Sequence, residues 1–190
     1  MDELKERILR DGKAIAGGGI VLVNGFLNHQ LDPKLMMHCA EEFARIFSGS
    51  GINKIVTIEA SGIAPAVMMG YLMNLPVVFI KKKKSSTLGE TWQSWVRSFT
   101  RNEKVPVCID RRFLTASDRI VFIDDFLAGG HAAGCVIDLC RQSGAQIVGM
   151  GFVVEKCFAG GGDFLREHGI TYHSLAKVKR IREDNSIELE

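Results

Sequence analysis

Apolar side chains occur along the chain in short, nearly continuous runs. Such runs occupy positions 54–59, 76–80, 119–124 and 146–155, and a further short one spans 170–174. Apolar runs of this length, bounded by glycine and polar residues, predict strands that are buried on both faces. The pattern therefore indicates a sheet whose two sides are both covered by other parts of the chain.

The segments between these runs have the spacing of helices. Asp32 and Pro33 are typical of a helix start, because aspartate caps the first amides and proline fits the first helical position. The helix that follows ends at the glycines of positions 49 and 51, and its expected apolar face comprises Met36, Ala40, Phe43 and Phe47. Further helical segments are expected at 1–13, 63–74 and 132–141.

Strands and helices therefore alternate, which predicts an α/β fold with a mainly parallel, twisted sheet flanked by helices. No repeat, low-complexity linker or Pro/Gly/Ser-rich boundary interrupts the pattern, so positions 1–190 are expected to form a single domain. Ligands of such sheets bind at the carboxyl ends of the strands. The candidate places for a site are thus the loops after Glu59, Ile80, Asp125 and Glu155.

Composition narrows the class of protein. Of the 190 residues, 46% are hydrophobic, and the formal net charge of +2 excludes a strong polycation. No apolar run approaches the roughly 20 residues that cross a bilayer, and the charged N-terminus lacks the apolar core of a secretory signal. The five cysteines form no CxxC pair and no zinc-ligand spacing, which predicts free thiols and a cytoplasmic location. Neither a nucleic acid nor a membrane is expected as a partner.

One motif carries most of the candidate chemistry. Asp124 and Asp125 close an apolar strand, and a loop of small residues then opens a helix; the loop comprises Ala128, Gly129, Gly130, His131 and Ala132. Backbone amides of such a loop, together with a helix N-terminus, bind phosphate. Carboxylates suit vicinal hydroxyls or a hydrated Mg²⁺. Neighbouring strand residues point to opposite faces, so both aspartates can serve one ligand only if the strand ends there. The alternative is a tight Gly-Gly turn with a helix-capping aspartate.

Four blocks of sequence in the same order resemble one family. They are FLNHQLDP at 26–33, KIVTIEASGIAPAVM at 54–68, VFIDDFLAGGHA at 121–132 and VVEKCF at 153–158. Together they resemble the type I purine phosphoribosyltransferases, in particular the bacterial xanthine branch. The resemblance implies the type I phosphoribosyltransferase fold, with a small hood of base-recognition elements around 17–30 and 153–190. It also implies a homodimer.

The activity implied by the resemblance is purine salvage. Xanthine and 5-phosphoribosyl-1-pyrophosphate (PRPP) would give xanthosine 5′-monophosphate and pyrophosphate, with Mg²⁺ as a cofactor held mainly by PRPP and water. The aspartates would hold the ribose hydroxyls, and the loop 128–132 the 5′-phosphate. The implied pyrophosphate-binding residues are Ala60, Ser61, Gly62 and Lys81. The implied purine contacts are Val21, Asn28 and Lys156.

Two features depart from the family pattern. The loop 128–132 has no serine or threonine hydroxyl, so its backbone amides must bind more of the phosphate. Ala128 stands where several purine enzymes carry a carboxylate that acts as general base, and alanine has no group for that role. The sequence leaves the general base and the role of His131 unassigned.

Structural alternatives accompany several other residues. Ser61 could cap a helix, and the four lysines at 81–84 could form a solvated loop. Positions 85–91 are expected to form a lid over the site. Trp92 and Trp95 are expected to pack in the core or, with the segment of Phe26, to contact a second subunit.

Three rival functions remain open at this stage. A PRPP-sensing regulator without catalysis would share the motif, but only a short segment precedes position 26, too little for a winged helix. A phosphoribosyltransferase that prefers guanine or hypoxanthine differs by one exocyclic group of the base. A nicotinamide-dependent oxidoreductase is disfavoured, because no GxGxxG follows the first strand.

Overall fold

The helices of the computed structural model surround a central sheet. The structure describes residues 1–15, 17, 19–82, 89–97 and 104–190. Its α-helices are α1 (Asp2–Asp11), α2 (Pro33–Ile46), α3 (Ile63–Met73), α4 (His131–Ser143) and α5 (Gly161–Glu167). Short turns of other helix types occupy Asn24–Asn28, Arg111–Phe113 and Cys157–Ala159. Within the described ranges, the helices are too short or too polar to cross a bilayer.

Six strands form the central sheet: β3 (Lys54–Ile58), β4 (Val77–Ile80), β7 (Arg119–Leu127), β8 (Gln146–Lys156), β9 (Tyr172–Ile181) and β10 (Ile187–Leu189). Their order in the sheet is β10-β9-β8-β7-β3-β4. All neighbours run parallel except β9 and β10. Two antiparallel pairs lie outside this sheet: β1 (Lys13–Ile15) with β2 (Ile20–Leu22), and β5 (Thr91–Arg97) with β6 (Lys104–Asp110).

The sheet is buried on both faces, as its apolar strands predict. One core cluster packs α2 and α3 against the sheet and includes Phe43 and Met69. The other packs α4 against the opposite face and includes Leu139 and Phe152. Parallel strands that bring their carboxyl ends to one edge of a twice-covered sheet open a crevice there. The ends of β3 and β7 therefore position the site.

The predicted α/β fold with a mainly parallel sheet flanked by helices is confirmed. The four long apolar runs form β3, β4, β7 and β8. The helix predicted after Asp32 begins at Pro33, and Asp32 Oδ1 accepts the amide of Leu35 at 3.2 Å. The expected apolar face of this helix is buried, as shown by Met36, Ala40, Phe43 and Phe47.

Several strand boundaries differ from the sequence-based expectation. β7 continues through the aspartates to Leu127, and β9 runs to Ile181, well beyond the short strand expected at 170–174. The pair β5–β6 was not predicted, because a polar loop and a proline at position 106 obscured the alternation of TWQSWVR. In β9, the buried residues Leu175 and Val178 are interspersed with partly exposed polar residues. Such a strand has one solvent-exposed face and lacks the continuous apolar run by which the other strands were predicted.

Candidate active site

A cleft of about 270 Å³ opens at the carboxyl ends of β3 and β7. Two loops form its walls: the β3–α3 loop and the β7–α4 loop. From them come most of the site residues that the sequence suggested. Those that line the cleft are Ala60, Ser61, Asp124, Asp125, Ala128, Gly129, Gly130, His131 and Ala132.

Asp124 and Asp125 lie on opposite faces of β7, because the strand does not end between them. The Asp124 side chain is buried, whereas that of Asp125 is half-exposed. Asp124 Oδ1 accepts the backbone N–H of Asp125 at 3.0 Å. Both residues still line the cleft, so one bound ligand can contact both carboxyl groups.

Burial raises the pKa of the Asp124 carboxyl well above its usual range, and the negative charge of Asp125 raises it further. The nearby ammonium of Lys82 acts in the opposite direction. Two carboxylates that repel each other in a cleft are relieved by a cation or by hydroxyl donors between them. The pair therefore fits a hydrated divalent ion or a sugar.

The β7–α4 loop leads into a helix whose first backbone amides have no side-chain cap. Gly130 is the N-cap of α4 with φ of +79°, and no side chain caps this helix. A Cβ at Gly130 would lie 2.7 Å from Phe164 Cδ1, so only glycine fits both the conformation and the space. The exposed ring of His131 lies beside Gly129. Unpaired amides at a helix N-terminus suit a phosphate.

The β3–α3 loop leads into a second helix start, where the N–H of Ile63 donates to the Ala60 carbonyl at 3.1 Å. The N-cap of α3 is Gly62, and no side chain caps the helix. The alternative that Ser61 caps this helix is therefore wrong, and Ser61 lines the cleft instead. The peptide bond between Glu59 and Ala60 is cis. The loops that lead into α3 and α4 thus line one cleft, and backbone amides at helix starts suit anions.

Lys81 lies apart from the cleft, contrary to the expectation for the pyrophosphate group. Its backbone pairs with Cys108 through two hydrogen bonds of 2.9 Å, and its ammonium lies 5.7 Å from the centre of the Phe79 ring. Lys82 lines the cleft instead, and its amide donates to Glu59 Oε1 at 2.6 Å. β4 ends at Ile80, and the chain leaves the strand so that the second lysine after it, Lys82, lines the cleft. The lysines at 83 and 84 and most of the expected lid lie outside the described residues.

Two of the proposed purine contacts gather beside Asp125. Asn28 Nδ2 donates to Asp125 Oδ2 at 3.1 Å. Lys156 Nζ donates to the carbonyl of Gly19 at 3.0 Å and lies 5.3 Å from the centre of the Phe126 ring. The segment before β2 and the end of β8 therefore meet through the Lys156–Gly19 hydrogen bond, and Asn28 contacts Asp125.

Lys156 is more enclosed than a lysine at an open mouth. The residue is only 8% exposed, and burial lowers the pKa of its ammonium, while Asp125 opposes this effect. An enclosed cation discriminates between acceptors and donors on a ligand, because a donor group of the ligand cannot accept its hydrogen bonds.

Two residues of the hood lie deeper than the sequence suggested. The side chain of Val21 belongs to the buried core, so this residue can meet a base only through its backbone. Phe26 is fully buried in the same core, which removes it from any subunit contact. Conversely, Phe126 was not among the expected site residues, yet it lines the cleft, and the Lys156 ammonium lies 5.3 Å from the centre of its ring.

No group of three or more His, Cys, Asp and Glu side chains within the described ranges is placed to hold a metal ion. A hard cation in this cleft would therefore have to bring oxygen ligands of its own. Such an ion would keep water and substrate oxygens in its coordination sphere.

Comparison with known proteins identifies the family. No family model matches the chain. The xanthine phosphoribosyltransferase of Lactobacillus delbrueckii subsp. bulgaricus is 45% identical over 188 residues, which cover 98% of this chain and 99% of the relative. The enzyme of the same name from Ectopseudomonas mendocina is 49% identical, over 95% of each chain. That from Moorella thermoacetica is 48% identical, over 92% of this chain and 89% of the relative.

Solved structures of adenine phosphoribosyltransferases share the fold. The enzyme from Thermoanaerobacter pseudethanolicus has a TM-score of 0.75 at 21% identity and covers 93% of this chain and 98% of its own. The Trypanosoma brucei enzyme, in complex with AMP, pyrophosphate and ribose-5-phosphate, has a TM-score of 0.78 at 17% identity, over 96% and 82% of the two chains. The architecture is thus the type I phosphoribosyltransferase fold. With relatives of this identity over almost their whole length, the chain belongs to the xanthine phosphoribosyltransferase family.

Proposed function

We propose that the protein transfers the phosphoribosyl group of PRPP to xanthine, giving xanthosine 5′-monophosphate and pyrophosphate. The observation that carries the proposal is that the loops leading into α3 and α4, two helices without a side-chain cap, line one cleft together with the acidic pair. Each helix start suits one of the two phosphate-bearing ends of PRPP. The relatives with this name are 43–49% identical to the chain.

The 5′-phosphate is assigned to the amides of residues 128–132, and the ribose hydroxyls to Asp124 and Asp125. Ala60, Ser61 and Gly62 take the pyrophosphate, with Lys82 in the place first given to Lys81. Mg²⁺, when bound with PRPP, supplies positive charge for the leaving pyrophosphate. The chain itself orients both substrates and stabilises charge, which accounts for most of the catalysis of such a transfer.

In the reaction, the purine N9 attacks C1′ of the ribose while the bond from C1′ to the pyrophosphate oxygen breaks, and the proton of the imidazole ring passes to solvent or to the departing pyrophosphate. Positive charge develops on the sugar ring between these events. Asp125 faces this ring from the open side of β7 and favours the positive charge by simple attraction. No covalent intermediate with a protein side chain is needed.

Lys156 and Asn28 are assigned to the base. Lysine only donates hydrogen bonds, so its ammonium, which also donates to the Gly19 carbonyl, can pair with the O6 carbonyl of xanthine and cannot pair with the 6-amine of adenine. Asn28 offers both a donor and an acceptor, and its hydrogen bond to Asp125 supports a position between base and sugar. Guanine and hypoxanthine retain O6, so contacts near position 2 of the base decide against them.

Steady-state kinetics with PRPP, Mg²⁺ and four purines test the proposal. We expect xanthine to have the highest kcat/KM, adenine to be inert, and turnover to require Mg²⁺. A preference for guanine or hypoxanthine would replace the xanthine assignment by that of the related branch. Binding of PRPP without consumption of any purine would instead support a PRPP-sensing regulator.

We propose that the protein is a homodimer that pairs through α3. This helix is apolar on nearly all sides, and Val67, Leu72 and Tyr71 are exposed on it, the last to 80%. A helix that is hydrophobic all round belongs in an interior or an interface. Of the two tryptophans first considered for a subunit contact, Trp95 is 63% exposed and stays available for one. Trp92 is half-buried and donates to the Leu114 carbonyl at 3.0 Å, which indicates packing within the subunit.

A cytoplasmic location is also proposed. The five cysteines are all free thiols in the structure. Burial raises the pKa of Cys39, Cys135 and Cys140 to about 12, which keeps these thiols protonated and unreactive. Free buried thiols are typical of proteins that fold in a reducing compartment.

A further inference from the structure

The hydroxyl of Thr57 is a buried donor below the cleft. Thr57 lies in β3 and is fully buried, at 0% exposure. Its Oγ1 makes no hydrogen bond to any part of the chain that the structure describes. Native proteins rarely leave a buried hydroxyl without a partner, because its desolvation is then uncompensated. We therefore expect the Thr57 hydroxyl to gain a hydrogen-bond partner when the site binds its ligand.

Gly62 brings this hydroxyl next to Asp124. A Cβ placed on Gly62 would lie 2.4 Å from Thr57 Oγ1 and 2.7 Å from Asp124 Oδ1. The two oxygens thus flank the same bare Cα and lie at most about 5 Å apart, just beyond hydrogen-bond range. β3 and β7 are neighbouring parallel strands, and Gly62 lies against both the Thr57 hydroxyl and the Asp124 carboxyl at their carboxyl ends. Any residue larger than glycine at position 62 would separate them.

Asp124 requires a further donor when it ionises. In the unliganded site, Oδ1 accepts the amide of Asp125, and burial favours the protonated carboxyl. Positive charge on the ribose ring draws the carboxyl toward its ionised form, and every hydrogen bond to that form stabilises it. A threonine hydroxyl at this distance reaches the carboxylate after a modest rotation of the aspartate, whose terminal torsion is soft.

We propose that Thr57 is a positioning residue of the transfer: its hydroxyl donates to the Asp124 carboxylate while the ribose is bound, and so holds that carboxylate in place under the sugar. The inference rests on the proposed phosphoribosyl transfer. Thr57 touches no substrate and acts through Asp124 alone. Gly62 has a second role in this arrangement, because its missing side chain leaves the hydroxyl access to the carboxylate.

The test compares Thr57→Val with Thr57→Ser. Valine keeps the shape of threonine and removes the unpaired hydroxyl, so the melting temperature should be retained or raised. We expect kcat/KM for PRPP to fall roughly tenfold or more in Thr57→Val, the effect of one lost hydrogen bond to a charged group. Thr57→Ser keeps the hydroxyl and should stay within about threefold of the parent chain, a loss that reflects only the missing methyl group.

The pH profile separates a positioning role from a packing role. Without the donor, Asp124 ionises less readily, so the acid limb of kcat/KM should move to higher pH in Thr57→Val and return in Thr57→Ser. Asp125 and Lys82, the charged groups that act on Asp124, are the same in both variants. Equal losses in both variants with an unmoved acid limb would show a packing role and overturn the inference.

The outcomes also separate this inference from the proposed function. If the parent chain converts xanthine and Thr57→Val matches it in rate and pH profile, the inference alone is refuted. If the parent chain converts no purine, the proposed function falls and takes the inference with it. A slow Thr57→Val with a normal melting temperature and a rescued Thr57→Ser supports both.

Discussion

At the scale of single residues, the site contains groups in energetically unfavourable environments or backbone conformations. Asp124 is buried beside a like charge, Lys156 is a largely enclosed cation, and Gly130 has a left-handed backbone against an aromatic ring. Each arrangement opposes folding and favours a ligand with complementary charge. Residues of this kind are common at functional sites, since stability and function make different demands.

Asp124 should make the unliganded protein less stable as pH rises. Its folded pKa is raised, so above the ordinary aspartate range the unfolded chain loses this proton while the folded chain keeps it. The free energy of unfolding therefore falls with pH until the folded carboxyl ionises. We expect Asp124→Asn to equal the parent near pH 3.5 and to exceed it on the order of 1 kcal/mol at pH 8. Urea unfolding across this range checks it; a constant difference would contradict the assignment.

Lys156 should recognise the base and not the phosphates. Lys156→Met retains the apolar stem over Phe126 and removes the charge. We expect KM for xanthine to rise roughly tenfold or more, the scale of one lost charged hydrogen bond, while KM for PRPP stays nearly unchanged. Lys81→Met is the matched control, because that ammonium lies outside the cleft. A change in the PRPP constant for Lys156→Met would place this lysine with the phosphates.

At the scale of elements, the sequence predicts best what local pattern determines. The apolar runs identify the central strands, and Asp32–Pro33 marks the start of α2. The end of β7 could not be predicted, because Phe126 and Leu127 read equally as strand or loop until β8 pairs with them. The same limit applies to Lys81 and Lys82: adjacent lysines are equivalent in a sequence, and only the direction in which the chain leaves β4 separates them.

The start of α4 offers a test at this scale. Gly130→Ala places a side chain on a left-handed backbone and 2.7 Å from Phe164, so it should cost about 1–3 kcal/mol of stability and distort the phosphate loop. Gly134→Ala is the control, because its Cβ meets only the far edge of the same ring, at 3.2 Å. We expect KM for PRPP to rise in Gly130→Ala alone. Equal effects in both variants would exclude a special role for the loop.

At the scale of the whole molecule, both the fold and the cleft are explained by one parallel sheet. The carboxyl ends of β3 and β7 bring two helix starts to the same edge, and β8 carries Lys156 beside them. The sequence resemblance supplied the roles of these loops, and the structure supplies their geometry. Thr57 could not be found from the sequence, because a threonine inside an apolar strand looks like ordinary core.

The exposed apolar face of α3 predicts association. Light scattering at micromolar concentration should give a mass of twice the 21.0 kDa chain. Tyr71→Arg adds a charge at the most exposed apolar position of the helix and should shift the mass toward one chain, with the circular dichroism unchanged. A mass of one chain for the unaltered protein would refute the dimer.

The central claim is that the cleft between α3 and α4 transfers a phosphoribosyl group. Its most direct test is to mix the protein with PRPP, Mg²⁺ and xanthine and to quantify both products. We predict one xanthosine 5′-monophosphate for each pyrophosphate released, with kcat/KM for PRPP lowered roughly 10- to 150-fold in Asp125→Asn and its folding retained. Pyrophosphate release without the nucleotide, or an unchanged kcat/KM in Asp125→Asn, would contradict the account.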